Sequence, residues 1–201
     1  MEANPKEIKG FTLIELLVVI GIVAIISAVT LLTLNPAELL KQSRDSNRIS
    51  DLSTLKSAIS FYLADVLSPS LVSSSQSYGG CYMSMDNAAS TTGNCGGFMQ
   101  KTYFTNVTSA SRSVDSTGWL PINFNLISAR SPLSGLPVDP VNEPPYYYAY
   151  AASTTPTLVY KIVADMESIK FSQNGKSDVE SRDGGPFDWY LEVGSDPGLD
   201  L

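Results

Sequence analysis

The sequence contains no histidine. That absence removes the commonest general base, the commonest metal ligand and every Ser-His or Cys-His catalytic pair at one stroke. There is no G-x-S-x-G element either, and the acidic residues fall in turns rather than as facing pairs, so a hydrolase reading has no support. Charge is scarce, at 16% of residues against roughly 25% in an average soluble domain. Basic residues are the scarcer sign: 13 against 20 acidic, a net charge of −7, which argues against a nucleic-acid partner because phosphate binding needs a basic face. Two cysteines make at most one disulfide. At 201 residues the chain suits one compact domain with an appendage.

What charge there is divides unevenly. Through Lys56 six basic residues (Lys6, Lys9, Lys41, Arg44, Arg48, Lys56) balance six acidic ones (Glu2, Glu7, Glu15, Glu38, Asp45, Asp51), so the whole negative excess lies beyond. Such a split implies two environments. The first is visible at Phe11–Leu34, FTLIELLVVIGIVAIISAVTLLTL, 24 residues with one ionisable side chain. As a helix this run is about 36 Å long, enough to cross a hydrocarbon core of about 30 Å. A secretory signal peptide is the rival reading, but its apolar region runs only about 7–15 residues.

Glu15 is the exception within the run. A carboxylate in an apolar helix costs about 2.5–3.5 kcal/mol on insertion scales, so it is expected to have a partner or a function. The run contains no Lys or Arg. A cut after Gly10 would create an α-amino group on Phe11, four residues before Glu15 and, in a continuous helix, one turn away.

Lys9-Gly10-Phe11-Thr12-Leu13-Ile14-Glu15, followed by Leu-Leu-Val-Val-Ile-Gly-Ile-Val-Ala-Ile, resembles the class III signal of type IV pilins and type II secretion pseudopilins. The resemblance is strong over about the first 35 residues. It implies a leader at 1–10, cleavage between Gly10 and Phe11 by a membrane-embedded prepilin peptidase, methylation of the new amine, and a role for Glu15 in registering each subunit against the terminal amine of its neighbour. It further implies a single-pass protein of the inner membrane with its head outside the cytoplasm, surrounded by lipid and then by identical or related subunits in a filament. The count of flanking cations does not set this orientation, since Lys6 and Lys9 precede the run and Lys41, Arg44 and Arg48 follow it. One departure is that the nearby proline, Pro36, stands just after the run, whereas family members often carry one nearer its middle.

The expected fold is α+β: a long N-terminal helix, its apolar half (11–34) membrane-spanning and its second half amphipathic, packed on a small antiparallel β-sheet within a head spanning 35–201. Asn35 and Pro36 suit the cap and first position of the second half. Beyond them Ile49, Leu52, Leu55, Ile59, Tyr62 and Val66 form one apolar stripe ending near residue 66. The Ser-, Gly- and Asn-rich stretch from Ser68 to Thr117 reads as loops. Within it Cys81 and Cys95 either close a surface loop as a disulfide or stand as two thiols. Tyr146–Tyr150 and Leu158–Ala164 read as a hairpin, with Phe187–Val193 as a third strand. The tyrosines could form a sugar-stacking platform, but aromatics on strands more often pack in the sheet, and that is the expectation for them and for Trp119 and Trp189.

In SQNGKSDVESRDGGPFD the acidic side chains have two readings, a solvated turn or a loop whose Asp178, Asp183 and Asp188 bind Ca²⁺. The spacing fails the EF-hand pattern, and the calcium reading draws on the resemblance to major pseudopilins. The function implied is that of a non-enzymatic structural subunit, a pilin or pseudopilin; the alternative is an anchored minor subunit or binding module that recognises a surface ligand.

Overall fold

In a computed structural model of the chain, residues 10–73, 80–86, 105–153, 158–195 and 198 are described. By internal contacts the chain divides into two compact units, Met1–Leu40 and Lys41–Leu201.

Helix α1 spans Leu13–Leu34 and is apolar on every side. It stops at Asn35, whose φ of 40° is left-handed, a conformation that asparagine tolerates better than most residues. Helix α2, Pro36–Asp65, starts at once. Pro36 has no N–H to lose at a first helical position, and Asn35 Oδ1 accepts the Glu38 N–H at 3.4 Å. The continuous helix expected from the sequence is therefore two helices separated by one left-handed residue.

In the larger unit the apolar stripe of α2 is the inner face: Leu52, Leu55 and Ile59 are fully buried, and Tyr62 nearly so. They share a core with alternate residues of a five-stranded sheet, β1 (Gly80–Met83), β2 (Thr105–Thr108), β3 (Ala149–Ser153), β4 (Val159–Ala164) and β5 (Leu191–Gly194), in the order β2-β1-β3-β4-β5. Period-2 alternation divides the sheet's faces. Tyr82, Tyr150, Ala152, Tyr160 and Ile162 face the α2 core, while Cys81, Met83, Ala149, Ala151 and Val163 form a second cluster.

The antiparallel hairpin is present as β3–β4, with Ala151 opposite Lys161, and β5 follows antiparallel with Val193 opposite Ile162. The sheet is nevertheless mixed, because β1 and β2, in the stretch expected to be loops, pair in parallel. Two strands also start later than expected. The Tyr146 N–H closes a turn on Glu143 O at 2.7 Å and the Tyr148 N–H donates to Ser84 Oγ at 3.0 Å, so pairing with β4 begins at Ala149. The Phe187 N–H is taken by Glu192 Oε2 at 3.0 Å, which makes 187–190 a turn ahead of β5. On the other edge of β5 the Glu192 N–H donates to Asp183 Oδ2, withdrawing a donor from a strand edge that could otherwise template another chain.

Cys81 is fully buried on β1 and engaged in a disulfide; its expected partner, Cys95, lies outside the described residues, as does most of the leader, 1–9. Trp119 packs as expected, 1% exposed, with Nε1 donating to Pro137 O at 2.9 Å. Trp189 does not: it sits in the 187–190 turn rather than on a strand and is 56% exposed.

Candidate functional site

The first turn of α1 is built by Thr12, which is not yet helical (φ −82°, ψ 152°) and acts as the N-cap. Its hydroxyl accepts the Glu15 N–H at 3.3 Å. In return Glu15 Oε2 accepts the Thr12 N–H at 2.8 Å and the Thr12 hydroxyl at 2.7 Å. This reciprocal capping box satisfies two donors that a helix start leaves over, and it puts the negative charge where the helix dipole favours it. Glu15, expected to need a cation, thus has hydrogen bonds within its own turn. Phe11 precedes the cap, so in this uncut chain it is not one helical turn below Glu15; Thr12 occupies the boundary instead.

Around the cap the surface is open. Gly10 has nothing within 4 Å of where a Cβ would stand, and Phe11 is 84% exposed. Phe11, Ile14, Val18 and Val19 line a shallow apolar depression that includes Glu15. Farther along, the Ser27 hydroxyl turns back onto Val23 O at 2.7 Å, so this polar group costs the apolar surface little. Leu13–Thr30 is long and apolar enough to cross a membrane, and none of it is buried within the chain.

The acidic loop is organised differently from the calcium reading. Asp178 accepts the Asn174 N–H at 2.9 Å, the Glu180 and Ser181 N–H groups at 3.0 Å each and the Ser181 hydroxyl at 2.6 Å. The Ser181 bonds lead in holding its carboxyl down at about 2. Asp183 accepts from Gly185 and Glu192 N–H groups, and Asp188 is exposed. The loop's carboxylate oxygens therefore serve its own main chain. Among the described residues no group of three or more acidic or cysteine side chains could hold a metal ion. Among the described residues Asp178, Asp183 and Asp188 are not brought together as a cation site.

The larger unit also contains a buried charge cluster with no signal in helical periodicity. Arg48 and Asp45 are fully buried on α2. Arg48 donates Nε and Nη2 to Asp139 at 2.6 and 2.9 Å and Nη1 to Asp45 at 2.7 Å, and its Nη2 pairs with Glu167 at 2.7 Å. Arg44 holds Glu167 in a second fork, at 2.8 and 2.5 Å. Asp45 accepts the Glu167 and Ser168 N–H groups, and Asp139 those of Val141 and Asn142. Burial opposes the Arg48 charge, but the bonds and charge of Asp139, then of Glu167 and Asp45, outweigh it and its pKa is raised. Next to the cluster, burial pushes the Asp165 carboxyl up to about 6. Burial likewise pushes Glu180 up to about 7, although it accepts the Met166 and Gln173 N–H groups. This arrangement holds α2 to the 139–146 and 165–168 segments; Asp45, three residues before Arg48, shares its helix face, but that spacing does not separate a buried pair from a solvated one.

An apolar helix exposed over Leu13–Thr30, carrying one capped carboxylate in its first turn behind an exposed Gly-Phe junction, suits a protein anchored in a membrane through its N-terminus. Residues 6–31 match the family model of the prokaryotic N-terminal methylation motif. The chain thus carries the prepilin-type signal of type IV pilins and pseudopilins. No curated protein and no solved structure matches the chain.

Proposed function

We propose that this chain is a structural filament subunit, a pilin or pseudopilin, and not an enzyme. A prepilin peptidase cuts it after Gly10 and the new Phe11 amine is methylated. The processed protein waits in the inner membrane as a single-pass protein with its larger unit outside the cytoplasm, and then joins identical subunits through α1. The observation that carries the reading is α1 itself: a prepilin-type signal leads into a 22-residue apolar helix whose Leu13–Thr30 stretch is covered by none of the described residues. Lipid covers such a surface in the monomer. Once out of the membrane it must be covered by other apolar helices, because its burial is the only way to keep about 25 cal/mol per Å² from being lost to water. Gly21, Ala24, Ser27 and Ala28 offer points of close approach between helices. The exposed Glu15 is the group available to a neighbour's terminal amine.

Two measurements test this. Intact mass and N-terminal sequencing of the membrane-extracted protein should give a chain that starts at Phe11 and is heavier by one methyl group. An uncut chain from cells with an active prepilin peptidase would refute the processing step. Glu15→Leu should leave the protein in the membrane but absent from sheared filaments; normal incorporation would refute the assembly role.

A further inference from the structure

We propose that the 186–190 turn is a saccharide-binding platform, on which Trp189 stacks against the C–H face of a pyranose and Asp188 accepts hydroxyl groups from its edge. This inference does not depend on how the chain assembles.

The two tryptophans make the contrast. Trp119 has its indole N–H bonded to Pro137 O and is nearly inaccessible, as a core tryptophan should be. Trp189 is 56% exposed, and its N–H has no hydrogen-bond partner among the described residues. Neither does the carboxylate of Asp188, the exposed residue beside it. An exposed indole and, among the described residues, an unpaired donor and acceptor thus stand on two consecutive residues.

The turn that presents them is tied down from beneath. Phe187 is 8% exposed and its N–H is held by Glu192. The Phe187 ring lies 6.1 Å from Trp189 and 6.4 Å from Tyr190, centre to centre, and Lys161 Nζ stands 5.4 Å from its own centre. Lys161 is in turn fully buried and paired with Glu192 at 2.7 Å. Asp183 clamps the Gly185 and Glu192 N–H groups on either side. A turn fixed this way loses little conformational freedom when a ligand arrives, which is where weak surface sites lose most of their affinity.

The chemistry selects the ligand class. The negative face of an indole attracts the polarised C–H bonds of a pyranose, and the hydroxyls around the ring meet the indole N–H and the carboxylate. A quaternary ammonium is held best by a cage of several aromatic rings, and among the described residues the ring beside Trp189 is the buried Phe187. A lysine or arginine of a partner would gain only about 0–1 kcal/mol from an exposed carboxylate.

The test uses the full chain in amphipol, which contains neither sugar nor tryptophan. Saturation-transfer NMR is run with D-glucose, D-galactose, N-acetyl-D-glucosamine and L-fucose, with arginine amide as the cationic comparison. The expected result is a saturable signal from at least one sugar. Trp189→Ala should weaken it by at least about ten-fold, Trp189→Phe should restore part of it, and Asp188→Asn should weaken it by a smaller factor, all with unchanged thermal midpoints. No saturable sugar signal, a signal indifferent to Trp189→Ala, or saturation by arginine amide alone would each overturn the proposal.

Discussion

Arg48→Met is the most informative single change in the larger unit. The methionine fills much of the volume of the arginine stem, so cavity formation contributes little and the loss is chiefly electrostatic. Four hydrogen-bonded contacts disappear: two to Asp139, one to Asp45 and one to Glu167. Glu167 keeps Arg44. Asp139 and Asp45 keep only N–H donors while remaining 3% and 0% exposed. Removing one partner of a buried ion pair costs about 3–5 kcal/mol, most of it the penalty of the charge left behind. For a unit of this size that lowers the thermal midpoint by about 6–20 °C, at about 2–4 °C per kcal/mol. Adding Asp139→Asn to Arg48→Met should recover at least about 1 kcal/mol, since the stranded charge is then gone. Thermal denaturation of the full chain in amphipol, followed by near-ultraviolet circular dichroism of the buried tyrosines, measures both. If Arg48→Met costs less than about 1 kcal/mol, or if the second substitution deepens the loss by the full value of another buried pair, the cluster is not acting through uncompensated charge.

Two further outcomes are expected. Glu180, raised to about 7 from its ordinary 4.5, and Asp165, raised to about 6 from 3.8, bind protons more tightly folded than unfolded; between about pH 4.5 and 7 stability therefore falls as pH rises, and it levels off above. Discounted for solvent screening the Glu180 part amounts to about 2 kcal/mol, and urea midpoints measured from pH 5 to 8 should slope less between pH 6 and 7 in Glu180→Gln; an unchanged slope would remove Glu180 as the cause. Gly118→Ala should cost about 1–3 kcal/mol or more in the same urea series, because its Cβ would run into Ser113 O and come within 2.6 Å of Leu136 Cδ1; a neutral result would show that this loop can yield.

The parts of the fold that could be read from the sequence are those encoded by neighbours along the chain. The apolar run, its lone glutamate and the stripe from Leu52 to Tyr62 follow from residues one to four positions apart, and each appears in the structure where the spacing put it. Hairpin β3–β4 was legible for the same reason. Strands β1 and β2 were not, because β1 gains its place by pairing with Ala149–Ala151, some 70 residues on, and a Ser- and Gly-rich neighbourhood carries no period to announce it. Arg44 and Arg48 were legible only as surface cations. Their partners Asp139 and Glu167 lie 91 and 123 residues away, and no local pattern distinguishes a solvated arginine from one fully enclosed by carboxylates. The acidic loop had two readings in the sequence, cation ligands or turn acceptors, and only a count of the N–H groups that donate to Asp178 and Asp183 in the folded chain favours the second.

The same counting changes how Glu15 is understood. A carboxylate entering lipid without hydrogen bonds would be costly, yet in this chain it meets the Thr12 N–H and hydroxyl at 2.8 and 2.7 Å in a turn whose free N–H groups favour negative charge. The cap contains nothing upstream of Thr12, so a cut after Gly10 leaves its partners in place. The carboxylate is therefore satisfied within its own turn, and under the proposed assembly incorporation would exchange the contact with Thr12 for one with a neighbour's terminal amine. Thr12→Val tests this, because it removes the hydroxyl while retaining shape and main-chain N–H. Losing the cap costs about 1 kcal/mol of helix stability and should lower the amount of the membrane-inserted monomer without blocking filament incorporation of what remains. Glu15→Leu should do the reverse. If Thr12→Val instead abolished incorporation at normal monomer levels, the hydroxyl would be part of the assembly contact itself, and the exchange argument would fail.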